Sequence, residues 1–143
     1  MTFKCAPSVS THEDADQFKI LRELEVEVSS FEIMQRILES LGYHVEQVYE
    51  KWRETFCLNE TEICADTLPF GGFLEIEGEK EAIRSMAGQL GLKWENRILQ
   101  NYLAIFDHIR RQTGIIFHDI SFDNFKARRE DFSHHIRHFE IGS

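Results

Sequence analysis

The sequence predicts an α+β protein in which an antiparallel sheet, able to close on itself, is flanked by helices. Three observations predict it. Several stretches alternate strictly between apolar and charged residues, the period of a strand. Short turn signals separate them, as in a meander of adjacent antiparallel strands. Two stretches further along carry apolar residues at helical spacing. The chain has 143 residues and a hydrophobic fraction of 42%, enough for one domain with a real core.

In chain order, Met1 to Cys5 reads as a short strand, and Ala6 to Gln17, with Pro7, Ser8, Ser10 and several acids, as a loop. Phe18 to Val28 is the first long strand. Within it Glu23, Glu25 and Glu27 share one face, and Leu24, Val26 and Val28 the other. Ser29 or Ser30 caps a helix over Phe31 to Leu41, whose stripe is Ile33, Ile37, Leu38 and Leu41, with Gly42 as its stop. Tyr43 to Leu58 is a long strand that turns at Asn59-Glu60. Glu62 to Thr67 returns, Pro69 to Gly72 turns again, and Phe73 to Gly78 follows. Glu79 to Leu90 is a helix burying Ile83, Met86, Ala87 and Leu90, and Gly91 ends it. Trp94 to Gln112 is a longer helix with Ile98, Tyr102, Ile105, Phe106 and Ile109 on one side. Ile115 to Phe125 is an extended segment or short strand, and Lys126 to Ser143 a polar tail rich in Arg and His.

The net charge of -9 argues against a nucleic-acid or anionic-membrane partner, which calls for a basic surface. Three cysteines without CxxC spacing fit reduced thiols rather than a disulfide framework or zinc site. No signal-like start and no apolar run of spanning length is visible, so a soluble cytoplasmic protein is expected.

Glu75-Ile76-Glu77 is the most informative stretch. On a strand Glu75 and Glu77 lie on one face, roughly 7 Å apart. Such a pair can share a hard cation such as Mg2+ or Mn2+, and it can equally be an ordinary solvated face. Lys51, Arg53 and Thr55 share a face of another strand, opposite to Val48, Trp52, Phe56 and Leu58. A closed sheet would turn the acidic and basic rows inward together. Such rows suit a phosphate chain with a metal counter-ion.

Lys51-Trp52-Arg53-Glu54-Thr55-Phe56, Cys64-Ala65-Asp66-Thr67-Leu68-Pro69 and Gly72-Phe73-Leu74-Glu75-Ile76-Glu77-Gly78, in that order, resemble the CYTH superfamily, the triphosphate tunnel metalloenzymes. Thr2-Phe3-Lys4, the acidic strand and the Leu90-Gly91-Leu92 helix stop extend the resemblance over roughly residues 2 to 125 as one domain, with 126 to 143 outside it. The family includes class IV adenylate cyclases, thiamine triphosphatases and inorganic tripolyphosphatases. The resemblance implies an antiparallel tunnel-like barrel and an enzyme acting on a triphosphate-containing small molecule with Mg2+ or Mn2+. It makes Glu75, Glu77, Glu23 and Glu25 metal ligands, with Glu27 an alternative in register. It makes Lys4, Lys51 and Arg53 phosphate contacts, places Glu75, Glu77, Lys51 and Arg53 in the catalytic set, and turns Asp66 toward the tunnel. Nothing in Met1 to Lys4 supplies the ExExK strand with which the family begins, or the Arg-bearing strand after it. A barrel incomplete at the N-terminus is therefore expected, with an exposed sheet edge through which a homodimer can form. The alternative function is a non-catalytic phosphate-binding or interaction module.

Trp94, Tyr102 and Phe106 read as packing residues. His134 and His138 have the i, i+4 spacing of a chelating pair, but no third ligand accompanies them in the tail.

Overall fold

The computed structural model describes residues 1–5 and 17–142, so the loop expected from Ala6 lies outside the described residues as far as residue 16. The chain forms two compact units, Met1–Glu46 and Gln47–Ser143. Both strand ladders are antiparallel, one of two strands and one of three, and among the described residues neither closes into a barrel.

In the first unit β1 (Thr2–Cys5) pairs with β2 (Arg22–Glu25), Thr2 facing Glu25 and Lys4 facing Glu23. The strand expected over Phe18 to Val28 shortens to four residues, because its partner offers four residues of backbone to bond. Helix α1 (Phe31–Ser40) begins where expected, the Ile33 N–H donating to Ser30 Oγ at 3.3 Å. Gly42, at φ +93°, follows it in the conformation that glycine adopts most readily.

In the second unit β3 (Trp52–Leu58), β4 (Thr61–Leu68) and β5 (Gly71–Glu77) form the meander read from the sequence. Asn59 and Glu60, both at positive φ (48° and 62°), make the two-residue turn whose twist matches flanking strands. It pairs Leu58 with Thr61 and so places Arg53 opposite Asp66. The next turn tightens to Pro69 and Phe70, pairing Leu68 with Gly71. The strand expected from Tyr43 begins only at Trp52, because its ladder with β4 starts at the Trp52–Thr67 pair. Upstream, the Glu50 N–H donates to the Ile120 carbonyl (2.8 Å) and the Ile120 N–H to that of Val48 (2.9 Å).

Gly78, at φ +153°, leads from β5 into α2 (Lys80–Gln89), which packs on β4 and β5 through its buried residues Met86 and Ala87. The long helix expected over Trp94 to Gln112 is broken. Trp94–Asn96 is a single 3-10 turn, and α3 (Tyr102–Thr113) starts afresh where Asn101 Oδ1 accepts from the Ala104 N–H at 2.8 Å. Between them Ile98 bridges to Glu140. Gly114, in the left-handed region, ends α3. Residues 115 to 125 form no strand; they make the Ile120 bridge and a short helix α4 (Phe122–Phe125), capped by Ser121. The polar tail also contributes to the core, since Phe132 is buried and α5 (Ser133–Arg137) carries Ile136 against it.

The core joins Leu68 and Phe70 of the β4–β5 hairpin to Ile105, Phe106 and Ile109 of α3, with Ile115, Ile120, Phe125 and Phe132 completing it. Phe70 stacks on Phe106 with centroids 6.0 Å apart, and Phe106 on Phe117 at the same distance. Full burial of each of these large side chains contributes roughly 1.5–3 kcal/mol. The consequence for function is positional: this cluster fixes α3, and with it Tyr102, over one face of the sheet.

Candidate functional site

Residues paired across an antiparallel ladder share a face. The register therefore puts Lys51, Arg53, Thr55 and Cys57 of β3 and its approach on the same face as Glu62, Cys64 and Asp66 of β4 and Phe73, Glu75 and Glu77 of β5. Glu75 and Glu77 thus lie on the same side of the sheet as Lys51 and Arg53. Trp52, Phe56 and Leu58 lie on the other side, as their alternation predicted.

Asp66 is the centre of this face. Its carboxylate is fully buried and accepts four hydrogen bonds: from Lys51 Nζ (2.7 Å), Arg53 Nε (2.6 Å), Arg53 Nη2 (2.6 Å) and the Tyr102 hydroxyl (2.9 Å). Burial pushes this carboxyl upward, but the bonds from Arg53, Lys51 and Tyr102 outweigh it and hold the group down at about 2. Arg53 Nη2 also donates to Glu75 Oε2. The bond to Asp66, more than any other influence, keeps the guanidinium protonated beyond its already high ordinary range. The Tyr102 phenol is driven upward by burial and then by the Glu75 and Asp66 carboxylates, so it acts as a donor and not as a base. Its ring lies 4.9 Å from that of Phe73, and Lys51 Nζ stands 5.4 Å from its centroid.

Lys51 and Arg53 keep 22% and 30% of their side-chain surface exposed, whereas Asp66 keeps none. The two cations are therefore reachable from solvent and held from behind. Lys51 gives one of three N–H donors to Asp66; Nη1 of Arg53 lies outside the three bonds its other nitrogens make to Asp66 and Glu75. That is the chemistry of an anion site: fixed positive groups with donors to offer.

The remaining predicted residues fall into two groups. Glu77 shares the face but is exposed and sits directly across from Glu62, a like-charge pair that gains nothing by itself. Lys4, Glu23 and Glu25 lie in the first unit, where Lys4 Nζ pairs with Glu23 Oε1 at 2.7 Å and Thr2 Oγ1 donates to Glu25 Oε1 at 2.9 Å. Glu27 lies beyond the end of β2. Among the described residues no group of three or more His, Cys, Asp or Glu side chains is gathered to hold a metal, and Glu75 is committed to Arg53.

Sequence reasoning treated Tyr102 as packing, yet its hydroxyl belongs to the site. Its spacing one turn before Ile105 and Phe106 marked the buried face of the helix but carried no signal for where the hydroxyl would end. Cys64 lies beside Asp66 on the same face, and burial pushes its thiol up, so it is no activated nucleophile. Of the three tail histidines, His138 stacks on His108 of α3 at 4.6 Å and His135 meets it edge-on at 6.0 Å, and they belong to no group of three possible metal ligands among the described residues.

Compared with protein-family models, curated proteins and solved structures, the chain matches none. No helix among the described residues is long and apolar enough to cross a membrane.

Proposed function

We propose that Lys51 and Arg53 bind an oligophosphate chain, and that the protein acts on a triphosphate-containing small molecule. The observation that carries this reading is the pairing of two solvent-reachable cations, fixed by one buried carboxylate, on a face that also bears Glu75 and Glu77. Lys51 offers a point charge and Arg53 a planar donor set, the two complementary ways of holding phosphate oxygens. Glu75 and Glu77, on the same face, would hold a Mg2+ or Mn2+ ion brought in with the phosphate chain. When bound, such an ion screens phosphate charge and favours in-line attack by water or by a substrate hydroxyl. The chain's own contribution is to orient the phosphate and to stabilise charge on its oxygens through Lys51 and Arg53.

The test is calorimetry of tripolyphosphate binding with and without Mg2+, alongside a phosphate-release screen over tripolyphosphate, thiamine triphosphate and ATP and an assay for cyclic AMP. Binding that is lost in Lys51→Ala and Arg53→Ala, with turnover of at least one substrate, supports the proposal. Binding without turnover reduces it to a phosphate-binding module. No heat with any of them at millimolar concentration refutes it.

A second reading has its own support. Asp66 engages both cations and the hydroxyl of α3, so the cluster also suits an ion-pair staple holding β3, β4 and α3 together. Under that reading Lys51→Ala and Arg53→Ala lower stability and no anion binds. The homodimer and the wider tunnel belong to the proposal as well: β3 pairs on one side with β4, and its other edge has no strand partner among the described residues.

A further inference from the structure

The two carboxylates on Arg53 are not equivalent. Asp66 has no exposed side-chain surface, takes two bonds from the guanidinium and is also held by Lys51 and Tyr102. Glu75 retains 31% of its side-chain surface, takes one bond from Nη2 of the guanidinium, and among the described residues otherwise interacts only with the Tyr102 hydroxyl that it shares with Asp66. Moving Asp66 means breaking four hydrogen bonds in a dry interior, a costly step. Moving Glu75 means giving up its bond to Arg53 and its interaction with Tyr102, which keeps Asp66, at a part-exposed edge where water resolvates the groups set free.

Charge on the face points the same way. Lys51 and Arg53 are opposed there by Asp66, Glu75, Glu62 and Glu77. An anion that approaches Arg53 therefore meets a carboxylate already seated on it and further negative charge along β4 and β5. A singly bridging anion gains too little to displace Glu75. An anion with several phosphate groups reaches Lys51 and Arg53 at once and gains at two cations what it loses at one.

We infer that Glu75 is an exchangeable internal anion, which occupies Arg53 until a multiply charged phosphate displaces it and which sets the selectivity of the site for phosphate chains over single phosphates. This rests on the reading of Lys51 and Arg53 as the anion site and adds to it the residue that regulates access. Asp66 in this scheme stays in place and holds both cations in register while Glu75 swings away.

The experiment is titration calorimetry of tripolyphosphate and orthophosphate into the full chain in EDTA-containing buffer at low ionic strength, so that no divalent ion takes part and exposed charges are little screened. Wild type, Glu75→Gln and Glu62→Gln are compared, each first verified as folded by circular dichroism. Glu62→Gln removes the same charge from the same face at an exposed position across from Cys57 and Glu77, and so reports the general field. Glu75→Gln is expected to bind tripolyphosphate about tenfold more tightly than wild type, the factor that ~1.4 kcal/mol represents. Its gain for orthophosphate should be larger still, so that discrimination between the two falls. Glu62→Gln should change either affinity less than about twofold. Equal affinity in wild type and Glu75→Gln, weaker binding by Glu75→Gln, or an equal gain in Glu62→Gln overturns the exchange. Absence of binding in all three chains overturns instead the assignment of Lys51 and Arg53 on which it rests.

Discussion

Replacing Asp66 by Asn keeps the shape of the side chain and removes the charge that Lys51 and Arg53 share. Two routes give the size of the effect. Deleting one partner of a buried ion pair costs about 3–5 kcal/mol when the other charge is stranded. Here the cations are 22% and 30% exposed and Arg53 keeps Glu75, so water and the second carboxylate recover part of that. A carboxyl held down from 3.8 to about 2 likewise contributes roughly 2–3 kcal/mol to the folded state. Both routes give a loss of about 2–3 kcal/mol, and with a urea slope of roughly 1–3 kcal/mol/M the midpoint falls by about 0.7–3 M. Tryptophan fluorescence is the suitable probe, since Trp52 and Trp94 both lie in the unit that contains the site. The sign in pH follows from a depressed carboxyl. Its stabilisation is complete above the ordinary value of 3.8 and disappears as pH falls through about 2. The gap between wild type and Asp66→Asn should therefore be wide at pH 7 and narrow toward pH 2.5. A midpoint shift below about 0.3 M at pH 7, or a gap that does not change with pH, would refute the electrostatic account of this cluster.

Tyr102→Phe retains the ring against Phe73 and deletes one hydrogen bond to Asp66; a loss of about 1 kcal/mol is expected, read as a smaller drop in the same urea midpoint. His108 is held below its ordinary value by burial, then by His138, His135 and Arg111, so its contribution is complete above about 6.5 and is lost as the solution is acidified through and below that value. Melting temperatures of wild type should fall between pH 8 and 5 more steeply than those of His108→Phe, and parallel curves would exclude the histidine stack as the cause. Gly78→Ala places a methyl group 3.0 Å from the Glu60 carbonyl oxygen at φ +153°, and a loss of about 1–3 kcal/mol should appear in thermal unfolding.

How much could be read in advance depended on whether the determinant was local. The β3–β4–β5 meander was legible because its alternation and its turns are local properties, and so was the common face of Lys51, Arg53, Glu75 and Glu77. The strand ends were not, because a strand lasts only as long as its neighbour does, and Thr67 is the last residue that β4 offers to β3. The break before α3 was hidden because Asn101 reads as an ordinary polar residue until its side chain caps a new helix. Asp66 was expected to face inward, but its role as the shared acceptor of two strands and a helix depends on Tyr102, 36 positions further along the chain. Periodicity sorts an aromatic residue by face; it does not say where a hydroxyl at the tip of the ring ends. The tail was read as polar from its charges, while Phe132 and Ile136 carry its contacts with the core.

The two-residue link at Asn59 and Glu60 anchors a count that runs from the turn to the site. One amino acid added within β3 between Arg53 and that link would move everything before it by a single step, and those side chains would then meet the wrong neighbours on β4. Arg53 would lose Asp66 although neither residue had been altered. The chemistry here is thus encoded in spacing as much as in residue identity. A homologue that kept every charged residue but changed the number of residues between Arg53 and this hairpin would have given up the site.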